Sequence, residues 1–232
     1  MISKSLSTVA LAALALCAGS VQAAGLANGG FEIANAAGDP PGGVSYFAQG
    51  WLAAPTGNPA MWSTAEAHGG THSALLTVPA GFGGSTLFQN SVDHGGLPEL
   101  TAANVGDTPM LTFFAKGDVS TTGNVLFSFR YLNGTGSILG NSGNIFFQSQ
   151  INTGGWSQIS FQGAAIPAGT KALFLEMNTA VGPLLDGRSN AVYIDDISIT
   201  GLTAAIPEPE TYALMLAGLA AVGAMVRRRR SV

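Results

Sequence analysis

The sequence predicts an all-β fold, a two-sheet antiparallel sandwich with Greek-key or jelly-roll connections, framed by two hydrophobic ends. Three observations carry this expectation. Short apolar or aromatic runs bounded by Gly, Asn, Pro or Asp recur through the middle of the chain, as strands and turns require. No segment between Leu26 and Thr200 has the 3.6-residue period of an amphipathic helix, and there is no internal repeat. Finally, 9% of the 232 residues are charged and 32 are glycine, whereas an ordinary soluble domain is about 25% charged. A chain this poor in charge but supplied with aromatic and β-branched runs does not read as disordered.

Taken in order, residues 1–23 have the parts of a secretory signal. Lys4 gives the positive start, Leu6 to Ala18 the apolar core, and Val21-Gln22-Ala23 a small-residue cleavage site, so that Sec export and cleavage after Ala23 are expected. The sole cysteine, Cys17, lies inside that core after the bulky Leu16, which argues against lipid attachment. The mature chain then has no thiol for a disulfide, a metal or a nucleophile.

Residues 24–203 read as one domain with nine candidate strands: Val44–Trp51, His72–Val78, Ser85–Val92, Met110–Ala115, Val125–Leu132, Asn144–Ile151, Ser157–Phe161, Ala172–Asn178 and Ala191–Thr200. The alternation is clearest where Val125, Phe127 and Phe129 share one face and Leu126, Ser128 and Arg130 the other. Asn133-Gly134 after Tyr131-Leu132 has the chemistry of a hairpin turn. Between Gly25 and Gly201 there are eleven acidic and four basic residues, a net of −7. That balance excludes nucleic acid as a partner.

Residues 204–232 form a separate tail. Pro207 and Pro209 cannot donate to a sheet, so Ile206-Pro207-Glu208-Pro209-Glu210 ends the last strand. Residues 211–226 carry no charge; as a helix they span roughly 24 Å, short of a ~30 Å hydrocarbon core but within reach of local thinning. Arg227, Arg228, Arg229 and Arg230 follow at once and hold the C-terminus in the cytoplasm under the positive-inside rule.

A Pro-Glu-Pro motif, a short Ala/Leu/Gly-rich helix and a terminal arginine cluster, in that order, resemble the PEP-CTERM sorting signal of Gram-negative bacteria. The resemblance implies recognition and cleavage near Pro207-Glu208-Pro209 by a membrane-embedded exosortase, and an association with exopolysaccharide and biofilm. It also implies an inner-membrane-anchored intermediate, followed by the cell surface or the extracellular space. The body has a second likeness. Asn28-Gly29-Gly30-Phe31-Glu32 and Val192-Tyr193-Ile194-Asp195-Asp196-Ile197-Ser198-Ile199 resemble the first and last strands of galactose-binding-like jelly rolls, a fold shared by many carbohydrate-binding modules. In that fold the two strands lie side by side, and their carboxylates help bind a structural calcium. The resemblance therefore implies Glu32 with Asp195 or Asp196 as oxygen ligands, joined by Asp39 if its loop folds back. Adjacent aspartates in a regular strand point to opposite faces, so one of the pair is expected to face the site.

Sugar rings stack their apolar faces on aromatic side chains while polar groups take the hydroxyls. Trp62, in the loop-rich section 53–70, is the expected platform, with Tyr46 and Tyr131 also available; Trp51 and Trp156, at strand edges, are expected in the core. His68 and His72 are separated by Gly69-Gly70, which argues against a metal-binding helix, and His94 sits in a Gly-rich turn. No Gly-x-Ser-x-Gly elbow, His-Glu-x-x-His, Walker loop or Gly-x-Gly-x-x-Gly opening a helix is present. The expectation is a non-catalytic exported surface or matrix protein that binds polysaccharide. A purely structural or adhesive matrix component is one alternative, and a glycan-active enzyme on a jelly-roll scaffold, with two carboxylates across one cleft, is the other.

Overall fold

The computed structural model describes residues 26–35, 45–54, 57–90, 97, 99–182, 186–203, 218, 219 and 222, with the backbone alone for 45–47 and 90. The expected signal peptide, Asp39, the Pro-Glu-Pro motif and Arg227 to Arg230 lie outside the described residues. The chain divides into two units, of which Gln22–Thr203 is one. In the other, the described residues Gly218, Leu219 and Val222 are helical. Among the described residues no helix is long and apolar enough to cross a membrane; most of the expected span 211–226 lies outside them.

Gln22–Thr203 is all-β. Its strands are β1 Ser45–Ala48, β2 Trp51–Ala53, β3 Met61–Ser63, β4 Ser73–Val78, β5 Gly83–Asn90 and β6 Met110–Asp118. They continue with β7 Gly123–Leu132, β8 Ile138–Asn141, β9 Ile145–Phe146, β10 Ser157–Gln162, β11 Ala172–Val181 and β12 Asn190–Thr200. One antiparallel sheet runs β1-β2-β5-β11-β7-β8, with β9 also on β7, and the other runs β10-β6-β12-β4-β3.

Inward residues alternate as a half-buried sheet demands. Val125, Phe127, Phe129 and Tyr131 of β7 and Leu173, Leu175 and Met177 of β11 meet Leu111, Phe113 and Ala115 of β6 in a single core. Phe113 and Phe127, from opposite sheets, stand edge to face at 5.8 Å, and Phe147 contacts Phe113 at 5.1 Å. In β12 the alternation slips once, from Ile194 to Ile197, because one extra residue is accommodated opposite β6 between Asp195 and Ser198. Asp196 sits at φ +47 in this bulge.

The structure redraws four expected elements. The strand expected over Val44–Trp51 is a hairpin of β1 and β2, since Gly50 at φ +80 reverses the chain. Section 53–70 contains β3, which pairs with β4. Asn144–Ile151 yields only the two-residue β9 and a 3-10 helix, Gln148–Gln150. Asn133 does open the β7–β8 turn, but as a longer loop: its side-chain oxygen accepts from Thr135 N, Thr135 Oγ1 and Ser137 N. The left-handed position there belongs to Gly136, φ +81, rather than Gly134.

Candidate functional site

Two regions gather polar side chains. The first is the loop from Glu66 to His72, which leads into β4. Asp195 Oδ2 accepts from the backbone N–H groups of His68 (2.7 Å) and Gly69 (3.1 Å). Asp196 Oδ2 meets His68 Nδ1 at 2.6 Å. Glu32 accepts from Thr71 N, Thr71 Oγ1 and His72 N, all within 2.9 Å, and lies 3.3 Å from His72 Nδ1. The bulge in β12 brings both aspartates to this loop, correcting the expectation that only one of them would face it. Burial pushes the Asp195 carboxyl above its usual range, against the pull of the His68, Asp196 and Gly69 N–H groups. For Glu32 burial works the same way, but the hydrogen bonds from Thr71 and His72 prevail and hold the carboxyl at about 2.

These carboxylates do not fit the calcium site that the resemblance implies. Calcium takes about six to eight oxygen ligands at roughly 2.3–2.6 Å, whereas the lone pairs of Glu32 and of Asp195 Oδ2 are directed at N–H and O–H donors of the loop. Among the described residues no group of three His, Cys, Asp or Glu is arranged to hold a metal ion. The acidic residues serve instead as acceptors that pin the loop.

The expected aromatic platforms separate. Trp62 is 38% exposed, but its Nε1 donates to Phe31 O at 2.6 Å and its ring stacks on His72 at 4.2 Å. Tyr131 is not a platform: it is 2% exposed because the inward register of β7 points it into the core. Its hydroxyl donates to Ala164 O, and burial pushes the phenol up to about 12. Tyr46 pairs with Leu52 in register, and its side chain lies outside the described residues. Trp51 is in the core as expected, with Nε1 donating to Asn28 O, whereas Trp156, expected there too, is only half-buried and stands edge-on to His68 at 5.7 Å. In the Asp186-Gly187-Arg188 turn, Gly187 and Arg188 are exposed, and both ionic side chains are engaged within the domain. Asp186 accepts from Ser120, Thr121 and Arg188 N, and Arg188 pairs with Asp118.

The second region is the outer face of the seven-stranded sheet. Register places Phe174 beside Arg130, Glu176 between Phe88 and Ser128, and Asn178 between Thr86 and Leu126. Arg130 Nη2 donates to Glu176 Oε2 at 2.9 Å, and Asn178 Nδ2 donates to Glu176 Oε1 at 2.7 Å. The Thr86 hydroxyl donates to Asn178 Oδ1. Phe88 and Phe174 stack at 5.8 Å with rings 25° apart, and the Arg130 guanidinium lies 5.0 Å over Phe174. Ser128 Oγ, on the same face, is buried and has no hydrogen-bond partner.

This face combines rigid aromatic surface with mutually oriented donors and acceptors, the chemistry of a site for a hydroxylated ring. Sequence reasoning put Ser128 and Arg130 on one face of β7 but missed Phe88, Phe174, Glu176 and Asn178. Outward alternation within the expected strands Ser85–Val92 and Ala172–Asn178 was the available signal; the pairing of these two strands with β7 was not.

Solved structures of similar fold include the CBM22-1 xylan-binding domain of Paenibacillus barcinonensis Xyn10C, 14% identical, covering 78% of this chain and 94% of that one with a TM-score of 0.43. TmCBM61, solved in complex with β-1,4-galactotriose, is 15% identical over 75% of this chain and 95% of that one, with a TM-score of 0.42. The enzymatically active domain of tailspike protein 4 of bacteriophage CBA120 is 18% identical with a TM-score of 0.48; the match covers 66% of this chain but only 19% of the tailspike chain. No curated protein matches the chain. The family comparison falls on the tail, where the proline pair, the uncharged stretch and the arginines stand. Residues 205–230 match the PEP-CTERM protein-sorting motif, and the chain is accordingly an exported protein that carries this sorting signal.

Proposed function

We propose that the body is a non-catalytic polysaccharide-binding module of the extracellular or biofilm matrix, with its ligand lying across the outer face of the seven-stranded sheet. The signal peptide directs Sec export, the tail anchors the intermediate in the inner membrane, and an exosortase acts near Pro207-Glu208-Pro209. One observation carries the binding reading: the hydrogen-bonded row Arg130–Glu176–Asn178–Thr86 beside the Phe88–Phe174 stack. Charged and amide groups locked to one another lose little side-chain freedom on meeting a ligand, so more of each contact appears as affinity. The Phe rings offer the apolar face that a pyranose C–H surface needs. The two faces of strands arranged in this order also support the jelly-roll reading of the fold.

The test is affinity electrophoresis of the full chain, in mild detergent, through gels containing xylan, galactan, β-glucan or alginate. Retardation in at least one neutral polymer is expected, weakened about tenfold or more by Phe174→Ala or Glu176→Gln, the loss of about 1.4 kcal/mol or more. Retardation unchanged in both variants would move the ligand to another surface. Equal mobility in every gel would favour the purely structural matrix role.

A further inference from the structure

We propose a second saccharide site, on the outer face of the five-stranded sheet, which makes the body bivalent and able to bridge two polysaccharide chains. The proposal rests on the polysaccharide reading above and extends it to a face that the first site does not touch. A cleft of about 220 Å³ lies between β6, β12 and the loops that flank them, lined by Glu66, Lys116, Gly117, Asp118, Thr153 and Tyr193, with Ala191 beside them. It is smaller than the roughly 300–1,000 Å³ of a pocket for a drug-sized ligand, a scale suited to one ring of a longer chain.

The cleft is held open by the fold. Register pairs Tyr193 with Lys116 on the outward side of the sheet. Between them and the rim the floor is Gly117, at φ +156, where any Cβ would meet Ala191 O at 2.1 Å. The backbones therefore approach more closely than a side chain would permit, and the floor stays bare. Gly117 N also donates to Asn152 O. Asn152 Oδ1 in turn accepts from Gly154 N and Gly155 N, which fixes the turn that carries Thr153 on the rim.

Charge selects the ligand class. Lys116 Nζ donates to Glu66 Oε2 at 2.8 Å, and Asp118 is paired with Arg188. Each cation at the cleft is already matched by a carboxylate, so there is no surplus charge for a uronate or a phosphate. What the cleft offers is a phenol ring with a half-buried face, a hydroxyl on Thr153, and paired ions whose remaining donor and acceptor positions suit sugar hydroxyls. That set fits a neutral saccharide stacked on Tyr193. The inner faces of the two sheets share one core, so their outer faces look away from each other. Two polymer chains bound there are bridged by one body.

Isothermal titration of the full chain in detergent, with neutral hexasaccharides of xylose, galactose and glucose, tests the proposal alongside turbidity of the parent polymers. Two ligands per chain and polymer bridging are expected. Tyr193→Ala, and separately Thr153→Trp, which fills the cleft from its rim, should each reduce the count to one and abolish turbidity. The affinity of the remaining site should stay within twofold. Glu176→Gln should remove the other site and spare this one. One ligand per chain, lost in Glu176→Gln and untouched by Tyr193→Ala and Thr153→Trp, overturns the second site and leaves the first reading standing. Loss in the two cleft variants with Glu176→Gln unaffected keeps this cleft and overturns the first. Failure of every saccharide to bind the wild-type chain overturns both.

Discussion

At the scale of single residues, a few side chains do structural work that their chemistry would also suit for ligands. Glu32 is the clearest. Its carboxyl, held at about 2 against an ordinary 4.5, is ionised wherever the loop is bound to it. A carboxyl whose folded pKa is depressed adds stability that is fully present above its unfolded pKa and is lost as pH falls through the folded one. Its contribution should therefore decline between about 4.5 and about 2. Asp195, shifted upward by burial, has the opposite sign: its contribution is complete in acid and fades as pH rises through its folded value. Glu32→Gln is expected to lower the melting temperature at pH 7 by about 2–4 °C, the shift that roughly 1 kcal/mol makes in a domain of this size. The gap to wild type should close as the pH is taken down toward 2, and melts in calcium or in chelator should overlay. A constant gap would mean that the loop does not depend on the ionised carboxyl, and a calcium-dependent melt would return a cation to this corner. Gly29 is equally constrained, since a Cβ there would stand 1.8 Å from Ile197 O. This is the close approach, reinforced by the hydrogen bond from Ile197 N to Gly29 O, that joins the opening segment to the last strand.

At the scale of elements, the core rests on strands whose alternation was visible beforehand. Phe127 lies at the centre, edge-on to Phe113 at 5.8 Å and to Phe161 at 5.3 Å, so that β7 is joined to β6 and β10 of the opposite sheet. Edge-to-face pairs add about 0.5–1.5 kcal/mol beyond the area they bury. Phe127→Ala should cost about 3–5 kcal/mol in urea unfolding, with Phe127→Leu well below that. An alanine variant within 1 kcal/mol of wild type, a bound on the order of a surface substitution, would show that the two sheets do not depend on this contact. Shorter elements were harder to read. β9 and β3 exist because β7 and β4 offer them partners, and two or three residues carry too little pattern to announce a strand. The Gly50 reversal was similarly hidden, since one glycine inside an apolar run reads equally well as part of a single strand.

At the scale of the whole molecule, export and binding are assigned to different parts of the chain. The tail match over 205–230 concerns delivery, while the proposed binding faces lie in the body. Replacing Pro207, Glu208 and Pro209 with alanine is expected to retain the full-mass chain in the membrane fraction, without changing polysaccharide retardation of the detergent-extracted protein. A processed band of unchanged mass in the medium would overturn cleavage at this motif. If both sheet faces bind, delivery and bridging together describe a component that links matrix chains outside the cell.

The sequence by itself determined what depends on near neighbours in the chain: the sorting tail, the all-β class, the inward face of β7 and the burial of Trp51. Each follows from composition, an ordered motif or a period-2 pattern. The tertiary structure alone decided which outward residues meet. Arg130, Glu176, Asn178 and Thr86 come together across three strands that are far apart in sequence. One step of register in any of them would turn that strand's half of the site toward the core. Tyr131, two residues beyond Phe129, takes the inward side by the same period-2 pattern, so its reading as an aromatic platform ran against a signal the sequence already carried. The aspartate pair depended on an unseen bulge, in which a single extra residue cancels the alternation that a sequence reading must assume.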